Sequence, residues 1–206
     1  MAKAHGKNAF LFVIVTVAMD MLAFGIFIPV MPGYMEQLTG KPANEVVGIA
    51  GLLIATFGIL NFITMPIIGN LSDRFGRRPV LLVSIAGLCI DFLIMGFAHS
   101  LVMLFIGRAL AGVTSATYST ASSYIADVTE PEDRGRAFGM IGAAFGVGFI
   151  LGPVIGGELG KIDIRLPFFV SAGIAACNFL YGAFVLPESL APENRRKFDW
   201  KRAHPF

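Results

Sequence analysis

The sequence predicts an all-α protein that crosses a membrane six times. Of its 206 residues, 55% are hydrophobic and only 15% are charged, and the mean hydropathy is +0.73. A soluble chain carries about a quarter charged residues. Here, apolar runs long enough to cross a bilayer follow one another almost without interruption. The chain is therefore expected to be a multi-pass bundle with the lipid bilayer as its first partner.

Six stretches reach the length of about 20 apolar residues that a spanning helix needs. They are Phe10–Met31, Val46–Ile68, Pro79–Ala98, Leu101–Tyr124, Ala137–Leu159 and Leu166–Leu186. The first is too long for a removable signal peptide, so it is expected to stay in the mature chain. Residues 1–186 thus form one six-helix unit, and the polar residues 187–206 are expected to be a cytoplasmic linker or tail.

Basic residues predict the orientation. Twelve of the sixteen Lys and Arg residues lie in the N-terminus, the second-to-third loop, the fourth-to-fifth loop and the tail, against three in the loops on the opposite side. Because positive residues are retained in the cytoplasm, both termini are expected there. The net charge is only +2, so no nucleic-acid partner is expected.

Prolines and glycines predict where the helices are irregular. Pro29, Pro32, Pro66 and Pro153 lie near the ends of spans or inside them, where proline bends or breaks a helix. The fifth span is rich in glycine, and Gly152 precedes Pro153. Small residues four apart let helices approach closely, whereas a Gly-Pro pair favours a bend. The fifth helix is therefore either a close-packing helix or a bending, gating one.

Three full charges lie deep within the spans, namely Asp20, Asp91 and Arg108. Each costs about 2.5–3.5 kcal/mol to insert at a helix centre, so each should face protein or water. Asp91 and Arg108 are equally far from the turn at His99–Ser100, which places them at one depth on antiparallel helices. They are either a structural ion pair or a relay for protons or substrate. Asp20 has no cation at matching depth and is the better candidate for a group that exchanges a proton.

The remaining residues suggest no catalytic chemistry. Asn61, deep in the second span, is either an interhelical hydrogen-bonding group or a substrate contact. Neither the histidines nor the two cysteines have the spacing of a metal site, so no metal ligand is expected. The motifs GxxxxGK(S/T), GxSxG and HExxH are missing. The chain is thus not expected to be an enzyme, and any transport would draw on an ion gradient without a cofactor.

The second-to-third loop, GNLSDRFGRRPVL, resembles the signature loop of the major facilitator superfamily at every defining position. The residues that carry this resemblance are Gly69, Asp73, Arg74, Gly76, Arg77 and Arg78.

The fifth span resembles the antiporter motif of the drug-efflux branch of that superfamily. The residues concerned are Gly139, Gly148, Gly152, Pro153, Gly156 and Gly157. Arg108 with Gly112 resembles the fourth-helix motif, although Ala111 stands where Gln is often found. The segments AGLCIDFLIM around Asp91 and SYIADVTEPEDRGRAFG before the fifth span resemble the tetracycline/proton antiporters.

This resemblance implies one half of a major facilitator, built as a 3+3 inverted repeat. It further implies proton-driven export of a small hydrophobic drug such as tetracycline across a bacterial inner membrane. The loop with Asp73 would hold the cytoplasmic ends of helices together in one conformation. Asp20, Asn61, Asp91 and Arg108 would line or border the central cavity.

Family members have two six-helix halves, and the length of this chain allows two hypotheses. In the first, the chain is a half of an exporter and works only with a second half, either a second copy or a separate chain. In the second, it is a truncated, non-transporting fragment or an assembly partner in the membrane. The sequence does not indicate which compound is carried.

Overall fold

The computed structural model describes residues 2–200, and it describes side chains from residue 10 onwards; Met1 and residues 201–206, the end of the expected tail, lie outside the described part. The described residues form α-helices and three short 3-10 turns, Ile28–Val30, Pro131–Asp133 and Pro192–Asn194. The helices are α1 (Ala2–Phe27), α2 (Met31–Thr39), α3 (Ala43–Phe75), α4 (Arg77–Gly96), α5 (Leu101–Thr114), α6 (Thr117–Val128), α7 (Arg134–Ile162) and α8 (Leu166–Val185).

These helices make six segments long and apolar enough to cross a membrane, which confirms the predicted number. The first segment combines α1 and α2, the fourth combines α5 and α6, the fifth joins the turn Pro131–Asp133 to α7, and the other three are single helices. The bundle has two ends. The Arg77 end is where α3 meets α4, and the Tyr34 end is the opposite one.

At the Tyr34 end, side chains close the last turn of α4. The Tyr34 hydroxyl donates to the carbonyls of Met95 and Ala98 at 2.8 and 3.0 Å. The Arg165 guanidinium donates to the carbonyl of Ala98 at 3.1 Å. The final carbonyls of a helix have no partner within it, so these contacts satisfy groups that lipid could not.

The bundle has two apolar cores, one toward each end. Phe12, Leu81 and Tyr124 belong to the core at the Arg77 end, and Phe92 and Phe168 to the core at the Tyr34 end. Along α1, residue 17 belongs to the first core and residue 23 to the second. Asp20 therefore lies at the boundary between them.

The prolines behave differently from one another. The first span is interrupted at Ile28–Val30, the turn that contains Pro29, as predicted. The helices α3 and α7 continue through Pro66 and Pro153, so of the two expected outcomes, a bend or a break, the break does not occur at either proline. A proline in a spanning helix is tolerated where local adjustment and neighbouring groups satisfy the freed backbone.

The α7 helix packs on α1 through glycines one turn apart. A methyl group added to Gly148 would lie 2.7 Å from the carbonyl oxygen of Ala18, and one on Gly152 would lie 2.6 Å from the Cα of Gly25. One on Gly156 would collide with the backbone of Ile26. These glycines therefore set a backbone-to-backbone contact that no larger residue permits.

The other glycines of the expected antiporter motif face open space. Neither Gly139 nor Gly157 has a neighbouring atom within 4 Å of an added methyl group. The motif therefore combines glycines that allow α7 to pack closely on α1 with glycines on another face of α7 that have open space beside them.

We expect Gly156→Ala to lower the free energy of unfolding by about 1–3 kcal/mol, because the added methyl group meets the backbone of Ile26 and forces α7 away from α1. The adjacent Gly157→Ala is the matched control: its methyl group meets no neighbour, so stability should stay unchanged or rise by up to about 1 kcal/mol from the better helix propensity of alanine. Denaturant unfolding in mixed micelles measures both. Equal effects of the two variants would show that this contact does not hold the helices together.

Candidate transport site

A cavity of about 230 Å³ opens in the middle of the bundle. Five aromatic rings form much of its wall, from Phe24, Phe57, Tyr118, Phe145 and Phe149. The Phe145 and Phe149 rings are stacked with centroids 5.9 Å apart, and Tyr118 meets Phe145 edge-on at 6.3 Å. Its other lining residues are Asp20, Met21, Asn61, Met65, Leu88, Ser115, Ala116, Thr117 and Ser119. An apolar wall with a few polar groups is typical of a small-molecule site.

The fourth span breaks at Ser115 and Ala116, directly beside this cavity. The side-chain amide of Asn61 donates to the freed carbonyl of Ser115. The backbone N–H of Ala116 donates to the Ser84 hydroxyl at 3.2 Å. Irregular backbone at membrane depth is tolerated only where protein or a water-filled cavity satisfies it. Asn61 therefore makes an interhelical hydrogen bond, which is one of the two roles expected for it, and it also lines the cavity.

Asp20 is 2% exposed and contributes to the cavity wall. Its carboxylate accepts a hydrogen bond from the side-chain amide of Asn178 on α8 at 2.9 Å. The Thr117 hydroxyl of α6 is also within hydrogen-bonding reach of it. Both partners are uncharged, so they orient the carboxylate without neutralising it.

Asp91 and Arg108 form the predicted ion pair between α4 and α5. The Nε of Arg108 donates to Oδ1 of Asp91 at 3.3 Å, and its Nη2 contacts Oδ2. Both side chains are at most 3% exposed. The rings of Phe27 and Phe57 lie 4.7 and 5.6 Å from the guanidinium carbon. Because Phe57 also lines the cavity, the ion pair lies behind its wall rather than in it.

The Asp91 and Arg108 side chains should depend on each other energetically. We expect Asp91→Asn or Arg108→Met alone to cost about 3–5 kcal/mol of unfolding free energy, because each leaves a buried group without its counter-charge. The double variant should cost less than the sum. Glu158→Gln breaks an exposed pair with Lys161 and serves as the control, with an expected loss below about 1 kcal/mol.

Equilibrium unfolding in mixed micelles gives the four free energies of this double-mutant cycle. Additive losses would mean that the two charges do not interact.

At the Arg77 end, the guanidinium of Arg77 joins three helices. It donates to Asp73 at 2.5 Å and Ser72 at 2.7 Å on α3, and to Asp127 at the end of α6 at 3.1 Å. Arg77 itself begins α4 and is 9% exposed. The Arg78 side chain donates to the carbonyl of Ala183 on α8 at 2.6 Å.

The other residues of the expected loop motif are outside this network. Arg74 lies over the ring of Phe75 at 5.0 Å, and Gly69 has open space beside it. Gly76, the one residue between α3 and α4, has a φ of +109° that L side chains rarely adopt.

The expected linker packs back onto this end. The Glu188 carboxylate accepts hydrogen bonds from the backbone N–H groups of Arg77 at 2.8 Å and Arg78 at 3.3 Å. It thereby caps the N-terminus of α4 from the far end of the sequence, where a negative charge also complements the helix dipole. Further along, the Arg196 N–H donates to the carbonyl of Asp73 at 3.0 Å. The segment from 187 to 200 is thus attached to the bundle.

Removing this cap should loosen the Arg77 end. We expect Glu188→Ala to lower the free energy of unfolding by about 1–2 kcal/mol, since two orphan N–H groups and a favourable charge are lost. Glu193→Ala, an exposed glutamate of the same segment, is the control and should have no effect. Hydrogen exchange at the amides of Arg77 and Arg78 reports the same loss locally. Unchanged exchange in the Glu188 variant would contradict the cap.

The predicted site residues therefore fall into separate groups. Asp20 and Asn61 line the cavity, Asp91 and Arg108 lie behind it, and Asp73 with Arg77 is at the Arg77 end. Ser84, Thr117, Asn178 and Glu188 are partners of these groups that were not predicted from the sequence. Only the polarity of Asn178 inside an apolar span could have drawn attention to it. Within residues 2–200, no group of three or more His, Cys, Asp or Glu side chains could hold a metal ion.

Six spans around a half-enclosed cavity, with buried charges and a cross-linked loop at one end, define a unit of a membrane transporter. The profile of the Major Facilitator Superfamily matches residues 13–206. The chain belongs to this family, whose members are transporters rather than enzymes.

Curated relatives agree with this assignment. The chain is 42% identical over 189 residues to the tetracycline resistance protein, class C, of Escherichia coli, which covers 92% of the chain and 47% of that protein. It is 34% identical to multidrug resistance protein 2 of Bacillus subtilis, covering 93% of the chain and 47% of the relative. The chain thus spans about half the length of these relatives.

A solved structure has the same fold. The crystal structure of a human organic anion transporter superposes with a TM-score of 0.80 at 24% identity, covering 92% of this chain and 50% of the other. A peptide transporter crystallised with sulfate gives a TM-score of 0.74 at 18% identity, with 84% and 37% covered.

Proposed function

We propose that the chain is one six-helix unit of a proton-coupled exporter of small hydrophobic drugs such as tetracycline, and that it works with a second six-helix unit. The observation that carries this proposal is the position of Asp20. Its carboxylate lies in the wall of a mainly apolar cavity inside the membrane, and its hydrogen-bond partners Asn178 and Thr117 are uncharged.

Asp20 suits proton coupling better than Asp91 does. Asp91 is neutralised by Arg108 and lies behind the cavity wall. Asp20 faces the cavity without a counter-charge, so gaining or losing a proton changes the charge of the wall by one. A drug and a proton that compete for this wall would be exchanged for each other, which is the requirement for antiport.

The cavity wall also suits the substrate class. Flat aromatic side chains pack well against fused ring systems, and Asp20 and Asn61 offer polar contacts to the edge of such a molecule. The two relatives reported above are named for resistance to tetracycline and to multiple drugs. The cavity volume of about 230 Å³ is below the roughly 300–1,000 Å³ typical of ligand sites. A second unit would supply the remaining wall.

Such a second unit also resolves an energetic problem. Lipid against the open cavity would penalise its polar groups by several kcal/mol, in the range known for unsatisfied groups in apolar surroundings. The second unit can come from a longer form of the chain, from a second copy or from a separate chain. The relatives are about twice as long as this chain. A second unit, either covalently attached or supplied as a separate chain, would therefore give an assembly of the same size as these relatives.

We infer that the membrane is a bacterial inner membrane and that the Arg77 end faces the cytoplasm. The basic residues of the loops carry this orientation. In that orientation the network of Arg77, Asp73 and Asp127 holds the cytoplasmic ends of α3, α4 and α6 together. Breaking and reforming this network would accompany the change between inward- and outward-facing states.

We expect Asp20→Asn to abolish proton-driven tetracycline uptake by everted membrane vesicles that contain the chain together with the second half of the class C relative. The substitution keeps the size of the side chain and its contact with Asn178 but cannot release a proton. Asp163→Asn, at the exposed Tyr34 end, is the control and should transport normally. Uptake that persists in the Asp20 variant and still collapses with a protonophore would assign the coupling to another group.

A further inference from the structure

The hydroxyl groups of Thr16 and Thr120 are buried without hydrogen-bond partners in the described part of the chain. Both side chains are at most 2% exposed. Buried polar groups are normally satisfied by protein or by ordered water, so an unpartnered one calls for an explanation. The side-chain oxygen of Asn178 is also buried without a hydrogen-bond partner. The amide nitrogen of the same side chain donates to the carbonyl of Thr16 and to the carboxylate of Asp20.

These two threonines differ from other helical threonines of the chain. A threonine in a helix commonly satisfies its hydroxyl by donating to the carbonyl four residues earlier. The threonines that do so here are Thr39, Thr56, Thr64 and Thr114. Thr16 and Thr120 do not, so their hydroxyls are available to other partners inside the bundle.

Thr16 and Thr120 lie at one depth between Asp20 and the Arg77 end. The helices α1 and α6 contact each other and run in opposite directions. Thr117 is beside Asp20. On α1, Thr16 therefore lies one helical turn, about 5 Å, closer to the Arg77 end than Asp20 does. On α6, Thr120 lies about one turn closer to that end than Thr117 does.

The face of α6 that carries Thr117 and Thr120 remains polar up to the solvent-exposed Arg77 end of the bundle. After Thr120 comes Tyr124, whose hydroxyl donates to the carbonyl of Pro187 at 2.9 Å, and after Tyr124 comes Asp127, whose side chain is 25% exposed. The spacing of residues 117, 120, 124 and 127 keeps all four side chains on one side of the helix. A polar stripe thus connects the cavity with the exposed Arg77 end through an otherwise apolar core.

We propose that this stripe, together with Thr16 and Asn178, holds internal water molecules and conducts protons between Asp20 and the Arg77 end. Asp20 gives its proton to the first water, while the last water gives one to bulk solvent beside Asp127. Each water and each threonine hydroxyl in between receives one proton and passes one on, so no member of the chain becomes charged. The Tyr124 hydroxyl, whose hydrogen is held by the carbonyl of Pro187, only accepts a hydrogen bond from a neighbouring water and orients it. The inference rests on the proposed proton-coupled function, and it assigns Thr16 and Thr120 as positioning residues for the proton.

The direct test follows Asp20 itself rather than transport. The infrared C=O band of its protonated carboxyl is identified as the band missing in Asp20→Asn, and its decay is timed after a pH jump on the purified 206-residue chain. We expect Thr120→Val and Thr16→Val each to slow this decay at least about tenfold, equivalent to about 1.4 kcal/mol of added barrier. Thr120→Ser keeps the hydroxyl and should decay as the wild type does.

Two controls separate the hydroxyl from packing. Thr56→Val removes a hydroxyl already bonded to the carbonyl of Leu52 and should not slow the decay. Valine matches threonine in shape, so Thr120→Val should unfold at the same temperature as the wild type or a higher one. Unchanged decay in both buried valine variants, or equal slowing by serine and valine at position 120, would overturn the pathway.

Transport assays then distinguish this inference from the proposed function. Slowed proton release in the valine variants, without any drug export by the wild-type chain reconstituted with the second half of the class C relative, would support the pathway and contradict the exporter. Normal release in those variants alongside wild-type export would contradict only the pathway.

Discussion

The structure depends on one constraint, which is that hydrocarbon cannot satisfy a charge or a free backbone hydrogen-bonding group. Asp91 and Arg108 therefore neutralise each other among aromatic rings, and Asp20 is held by Asn178. The break in the fourth span occurs where Asn61 can cap it. These polar contacts thereby fix the positions of neighbouring helices, and the cavity lies where those helices meet.

The same constraint explains why the two sides of the cavity differ. On the side of α1, glycines of α7 allow backbone contact and leave no room for movement between the helices at that point. On the other faces of α3 and α7, large apolar side chains such as Phe62 and Ile150 are exposed. Those faces suit lipid or a second unit, whereas the cavity with its aspartate suits only water, a substrate or protein. This difference supports the proposed second unit as the remaining wall of the site.

Features that depend on composition and spacing were predictable from the sequence. The six spans follow from the lengths of the apolar runs, and the ion pair of Asp91 with Arg108 follows from equal distances to one turn. The break at Ser115 was not predictable, because it has no proline and depends on Asn61 and Ser84, which are remote in sequence. Glu188 was missed for the same reason, since its partners begin α4 more than a hundred residues earlier. Pro66 and Pro153 are the opposite case to Ser115. At both prolines the local sequence favours a break, but the helix continues because the tertiary structure overrides this local preference.

We propose that the cavity becomes a drug and proton exchange site only when a second six-helix unit completes it. The most direct measurement is the internal pH of proteoliposomes after tetracycline is added, with the purified 206-residue chain reconstituted alone or together with the second half of the class C relative. We expect a tetracycline-dependent proton flux with both units, and none above that of empty liposomes with the chain as a monomer. A flux of equal size from the monomeric chain would contradict it.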